Sequence, residues 1–109
     1  MSHFKTIDAA GLKKRMDAGE EFTLVETLPP EEFGKGHLPG AINIPTEAIE
    51  SDAPAKLERD ECIVVYCGNP SCSASPKAMR KLIYMGYHDV LDFEAGKEGW
   101  KEAGFRLIA

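Results

Sequence analysis

Residues 62–66, Cys-Ile-Val-Val-Tyr, form an unbroken apolar and largely β-branched run, with turn residues after it and a strong helical pattern beyond. An alternating strand shows one polar face. A run with no polar break fits a strand covered on both sides, as in a parallel sheet sandwiched by helices. The segment 75–87, "SPKAMRKLIYMGY", supplies such a helix. Ser75 reads as its N-cap, Pro76 as its first helical residue and Gly86 as its end, and Ala78, Leu82 and Met85 share one face.

The rest of the chain repeats this alternation. A helix is expected over "AAGLKKRMDAGE", with Asp8 as N-cap, Leu12 and Met16 one turn apart and Gly19 near the end. Strands are expected at 22–26, 41–45 and 89–93. A brief helical turn is expected within 29–40, a weak helix across "TEAIESDAPAKLE" interrupted at Pro54, and a last short helix at 97–105. Strand and helix in turn argue an α/β fold with a mostly parallel sheet. With no repeat, linker or low-complexity tract in its 109 residues, the chain is expected to be one domain, 1–109.

Composition narrows the functional classes. Thirteen basic against 18 acidic residues give a net charge of −5. That balance disfavours nucleic acid and anionic membrane as partners, because both reward phosphate neutralisation. The clusters Lys13-Lys14-Arg15 and Lys77 with Arg80-Lys81 read as solvated helix faces. No apolar stretch is long enough to span a membrane, and the N-terminus lacks the order of a signal peptide. The expectations are a cytoplasmic location and, by default, a monomer. Three cysteines, an odd number, exclude a full disulfide framework and point to chemistry or burial.

Cys67 falls between the best strand and the best helix. In α/β sheets this is where sites gather, beyond the carboxyl ends of the strands. Unpaired amides and the positive end of a helix favour a thiolate, so its pKa is expected below the ordinary value. The loop Gly68-Asn69-Pro70-Ser71-Cys72-Ser73-Ala74 has small residues and no charge, so its backbone can curl and direct amides at one sulfur or anion. A cysteine at a strand end is otherwise a small buried hydrophobe. Residues alone leave both readings open.

Three blocks bear a family resemblance. "IVVYC" leading into a small-residue loop and helix resembles the active-site segment of single-domain rhodaneses. "LVETLPPEEFGKGHLPGAINIP" (24–45) is similar to that family's "LVDVRxxxEFxxGHIPGAxNIP" signature, and "VLDFEAGKEGWKEAGF" (90–105) to its "VYxxxGGxxxWxxAGY" ending. The resemblance implies a five-stranded parallel sheet flanked by helices, and sulfur transfer. Cys67 would attack a donor such as thiosulfate, hold its outer sulfur as a persulfide among the amides of Gly68 to Ala74, and pass it to cyanide or another thiol. Preorganised donors suit the charge that develops there. The implied partners are a small sulfur donor and acceptor, or a partner protein's thiol. No cofactor is expected.

The chain departs from the family pattern in ways that matter. The loop carries no Arg or Lys to clamp an anion. Lys77 and Arg80 either substitute from the following helix or are solvated. The loop is longer than the short family form and resembles a subset with a second cysteine, of the type "CGGPDCxxS". Cys72 either resolves an oxidised or persulfidated Cys67 or simply packs the loop. Glu26-Thr27-Leu28 stands where the family has Asp-Val-Arg. Glu26 either lines the site mouth or ends a strand in solvent, the latter being favoured. His37 matches a family histidine that orders the loop. Cys62 is expected in the core, and Trp100 and Phe105 as packing residues.

Other functions compete. Phosphatases and arsenate reductases place Arg after Cys and five residues; here that slot is Ser73, which removes the bidentate anion grip. A non-catalytic sulfur-carrier or binding module and a Cys67–Cys72 redox sensor both remain open. A metal site is not expected, since Cys62 and Cys67 point to opposite faces of a strand.

Overall fold

The computed structural model describes residues 5–109; the stretch read above as lacking a leader pattern begins outside that range. The chain builds one sheet from β1 (Lys5–Thr6), β2 (Thr23–Glu26), β3 (Ile42–Asn43), β4 (Cys62–Tyr66) and β5 (Asp89–Phe93). The helices are α1 (Ala9–Asp17), α2 (Pro30–Lys35), α3 (Ile49–Lys56), α4 (Ala74–Tyr84) and α5 (Gly96–Glu102), with a 3-10 turn at Thr46–Ala48 before α3. The strand order is β1-β5-β4-β2-β3, and every pairing is parallel.

The apolar run in β4 is central and divides its side chains between two cores. Ile63 and Val65 join Val25, Ile49, Met79 and Leu82 on the α3/α4 side. Val64 and Tyr66 join Leu12, Leu24, Phe93 and Trp100 on the α1/α5 side. This is the period-two alternation of a strand buried on both faces. Beyond β2 the chain turns outward to β3, then returns across β2 to place β4. The order therefore reverses between β2 and β4, and the carboxyl ends of those strands open the crevice where α/β proteins bind ligands.

Several local expectations need correction. Helix α4 starts at Ala74, with Ser73 as the flanking residue and no side-chain cap. Ser75 is not the N-cap: it is the second helical residue, almost fully buried, with its hydroxyl engaged on Asp92. Pro76 is accordingly the third helical residue, still among the first-turn positions whose amides have no intrahelical partner. Pro54 does not interrupt α3, which runs through it over Ile49–Lys56. Cys62 is half-buried rather than core, and Arg15 Nη1 donates to its sulfur at 3.6 Å. Gly86 follows the end of α4 with φ +99°, as a left-handed terminator requires. Trp100 is buried and donates Nε1–H to Arg106 O at 3.0 Å, and its ring packs against Phe105.

Candidate active site at the end of β4

Cys67 directly follows β4, and two hydrogen bonds pin the backbone there. Lys97 N donates to Cys67 O at 3.0 Å, and Glu98 N donates to Gly68 O at 2.9 Å. The first turn of α5 thus holds the start of the loop. Gly96 makes this approach feasible. Its φ is +64°, and a Cβ there would stand 2.5 Å from Cys67 O and 2.8 Å from the Gly68 carbonyl carbon. Asn69 shapes the middle of the loop: its side-chain oxygen accepts from Ser71 N at 2.8 Å and its carbonyl from Cys72 N at 3.1 Å. At the far end, Thr46 Oγ1 donates to Ala74 O at 2.8 Å.

The two loop thiols differ sharply. Cys67 is only 1% exposed. Its thiol faces the Cys72 carbonyl at 3.6 Å and the Ser75 hydroxyl at 3.4 Å, and that hydroxyl lies 2.7 Å from Asp92 Oδ1. Burial pushes the Cys67 thiol above its ordinary pKa, and a hydrogen bond to Cys72 adds to the rise, outweighing Ser75. The expected acidic Cys67 is thus corrected: the strand tip seals the sulfur from water. Cys72 is partly exposed. Burial raises its thiol too, but a hydrogen bond from Cys67 and the amides of Gly68 and Ala74 outweigh that and bring it below the ordinary value. Of the amides expected to cradle Cys67, those of Ser71 and Cys72 are engaged by Asn69, and those of Gly68 and Ala74 serve the second thiol. Asp92 is buried, which raises its carboxyl, and Glu94 adds to this against the Ser75 hydrogen bond.

A cavity of about 350 Å³ opens beside the loop, lined by Thr46, Glu47, Cys72, Ser73, Ala74, Lys77 and Lys81. Lys77 is therefore next to the loop, as one of its two sequence readings has it. Arg80 lines a different cavity with Thr6, Pro76, Asp92 and Glu94. Lys81, read from sequence only as a helix-surface residue, also faces the loop cavity. Its ammonium donates to Thr46 O and to Glu50, both at 3.1 Å.

Glu26 does not end in solvent. It is fully buried: Tyr66 Oη donates to its Oε1 at 2.8 Å, and Lys97 Nζ stands 2.9 Å from Oε2. Lys97 also donates to Glu32 O at 2.7 Å, and Leu38 N donates to Tyr66 Oη at 3.0 Å. Burial, with Glu26 alongside, raises the Tyr66 hydroxyl. This network ties β2, β4, α2 and α5 together below the loop. His37 stacks on Phe33 with ring centroids 3.8 Å apart, and its Nδ1 lies 3.0 Å from Phe33 O. Lys97 and Gly96 escaped sequence reading; a Gly-Lys pair two residues beyond an apolar strand is the one signal that points to them. Among the described residues, no group of acidic, His and Cys side chains is arranged to hold a metal, and no helix is long and apolar enough to cross a membrane.

A parallel five-stranded sheet with a cysteine loop at its switch point defines an α/β domain built around a thiol. Residues 8–103 match the Rhodanese-like domain model, and the chain belongs to that family. It is 41% identical over 98 residues to an HTH-type transcriptional regulator of Mycobacterium tuberculosis, covering 90% of this chain but 42% of that protein. It is 29% identical to a sulfurtransferase of Allochromatium vinosum, covering 94% of each chain. A putative sulfur carrier protein of Bacillus subtilis is 24% identical, over 91% of this chain and 52% of its own length. Among solved structures, a Rhodanese-like domain from Anabaena superposes with a TM-score of 0.88 at 27% identity, covering 98% of this chain and 80% of the other. A Bacillus halodurans protein gives 0.90 at 27% identity, covering 96% and 77%. These relatives support sulfur transfer as the general activity.

Proposed function

We propose that this chain is a sulfurtransferase that carries sulfane sulfur as a persulfide on Cys67, taking it from a small anionic donor such as thiosulfate and yielding it to cyanide, a small thiol or a partner protein's thiol. The observation that carries this reading is Cys67 at the switch point, with its carbonyl fixed by α5 and a lysine-lined cavity beside its loop. A sulfur held there is shielded from water, which protects a persulfide from wasteful hydrolysis. Lys77 and Lys81 supply positive charge that the loop itself lacks, offset in part by Glu47 on the same wall and by Glu50 paired with Lys81. The full-length match to a protein named as a sulfurtransferase supports the same reading. Three free thiols among the described residues fit a reducing compartment, the cytoplasm in this reading.

The test is to incubate the reduced protein with thiosulfate, record its intact mass, add cyanide and measure thiocyanate. The expected result is a mass gain of one sulfur atom, followed by thiocyanate formation that falls sharply in Cys67→Ser. A mass gain without turnover would leave a sulfur carrier, as the Bacillus subtilis relative is named. Loss of two hydrogens and no gain of sulfur, dependent on both Cys67 and Cys72, would make the loop a redox sensor.

A further inference from the structure

Two thiols share the loop, and the one on the wall of the anion-facing cavity is not the one at the strand tip. Cys72 lines the cavity with Lys77 and Lys81, whereas Cys67 is 1% exposed and lines none of the cavities described around the loop. A donor anion entering between the two lysines therefore meets Cys72 first. We propose that Cys72 is the entry thiol: it accepts sulfane sulfur from the donor and hands it inward to Cys67. This inference rests on the sulfurtransferase reading and assigns the order of transfer within it.

Geometry and electrostatics agree on that order. The amides of Gly68 and Ala74 and the Cys67 thiol all stabilise an anion on Cys72, while Cys67 is held as a thiol by burial. In the first step the Cys72 thiolate attacks the outer sulfur of thiosulfate. The donor's S–S bond breaks, sulfite leaves with the bonding electrons, and Cys72–S–S⁻ remains. In the second step Cys67 gives its proton to the outer sulfur and attacks it as thiolate. The bond from that sulfur to Cys72 Sγ breaks as the bond to Cys67 Sγ forms. The products are Cys67–S–SH and the Cys72 thiolate, so no external oxidant or reductant is needed. Cys67 Sγ lies 3.6 Å from Cys72 O, which sets the two residues side by side for this transfer.

The test uses the full chain and thiosulfate as the probe, with samples quenched by an alkylating agent at short times and the sulfur located by peptide mass mapping. In the wild-type protein the extra sulfur is expected on Cys72 first and on Cys67 later. Cys67→Ser is expected to retain one sulfur on Cys72, and Cys72→Ser to load Cys67 about tenfold more slowly or worse. Cys72→Ala guards against a hydroxyl-specific artefact, and near-ultraviolet circular dichroism checks that each variant is folded. Independently of any donor, limiting iodoacetamide at pH 7 is expected to label Cys72 before Cys67. Loading of Cys67 at the wild-type rate in both Cys72 variants, or labelling of Cys67 first, overturns the inference and leaves the sulfurtransferase reading standing. Absence of sulfur uptake by the wild-type protein itself overturns that reading, and the order of transfer with it.

Discussion

A methyl group placed on Gly96 would sit 2.5 Å from the carbonyl oxygen of Cys67, closer than any packed carbon approaches an oxygen. The start of the reactive loop and the start of α5 are thus built in backbone-to-backbone contact. Gly96→Ala adds a left-handed φ of +64° to that clash. The expected loss of stability is about 2 kcal/mol or more. Urea unfolding measures it, and a variant as stable as wild type would show that the two segments are not held together.

The buried pair Glu26–Lys97 makes a separate prediction. Removing one partner leaves a buried charge, so Lys97→Met is expected to cost about 3–5 kcal/mol. Glu26→Gln combined with Lys97→Met should recover much of that loss, because the orphaned charge is gone. A double-mutant cycle by denaturant unfolding reads the coupling, and simple additivity would contradict the ion pair.

Asp92 is expected to hold Cys67 protonated. Its carboxylate accepts from the Ser75 hydroxyl that faces the sulfur, so a negative charge already stands one side chain behind Cys67 and opposes a second. Asp92→Asn keeps an acceptor for Ser75 but removes the negative charge. In a Cys72→Ser background the alkylation midpoint of Cys67 should therefore fall, by about one pH unit. An upward shift would mean that Asp92 serves as a base instead.

The same carboxyl gives a stability signature. Its pKa is raised by folding, so its favourable contribution is complete below the unfolded carboxyl value of about 3.9 and fades as pH rises through the higher folded value. Asp92→Asn lacks this loss. Its stability relative to wild type should rise with pH across the acid range and level off near neutrality, as thermal unfolding at several pH values will show.

The cavity lysines should set donor affinity. Lys77→Ala is expected to raise KM for thiosulfate about fivefold, the equivalent of one charge-assisted contact of roughly 1 kcal/mol, with little change for an uncharged acceptor. Arg80→Ala, on a different cavity, should leave KM for thiosulfate unchanged. Equal effects of both substitutions would indicate a general field rather than a site.

Much of this architecture is legible in sequence because burial leaves a run of one kind. β4 matches its expected bounds, 62–66, since a strand covered on both faces cannot carry polar breaks. The expected strands at 22–26 and 89–93 likewise appear as β2 and β5. β1 is two exposed residues at an edge and has no such signature. Ser75 illustrates a different limit. Ser-Pro before a helical pattern reads as a cap, and nothing local reveals that Asp92, from another strand, draws the hydroxyl inward. Glu26 failed in the same way, because its partner Lys97 lies far along the chain. The position of Cys67 was readable from its strand, but its burial and raised pKa depend on how Cys72, Ser75 and α5 close over it.

The loop is fastened unevenly. Its first two carbonyls are stapled to α5 and its far end is held by Thr46 and the start of α4, while the amides of Ser71 and Cys72 bond only within the loop, on Asn69. Motion of that middle would shift Cys72, while the strand-tip sulfur stays with β4. Traffic through such a device runs from the travelling arm to the fixed berth.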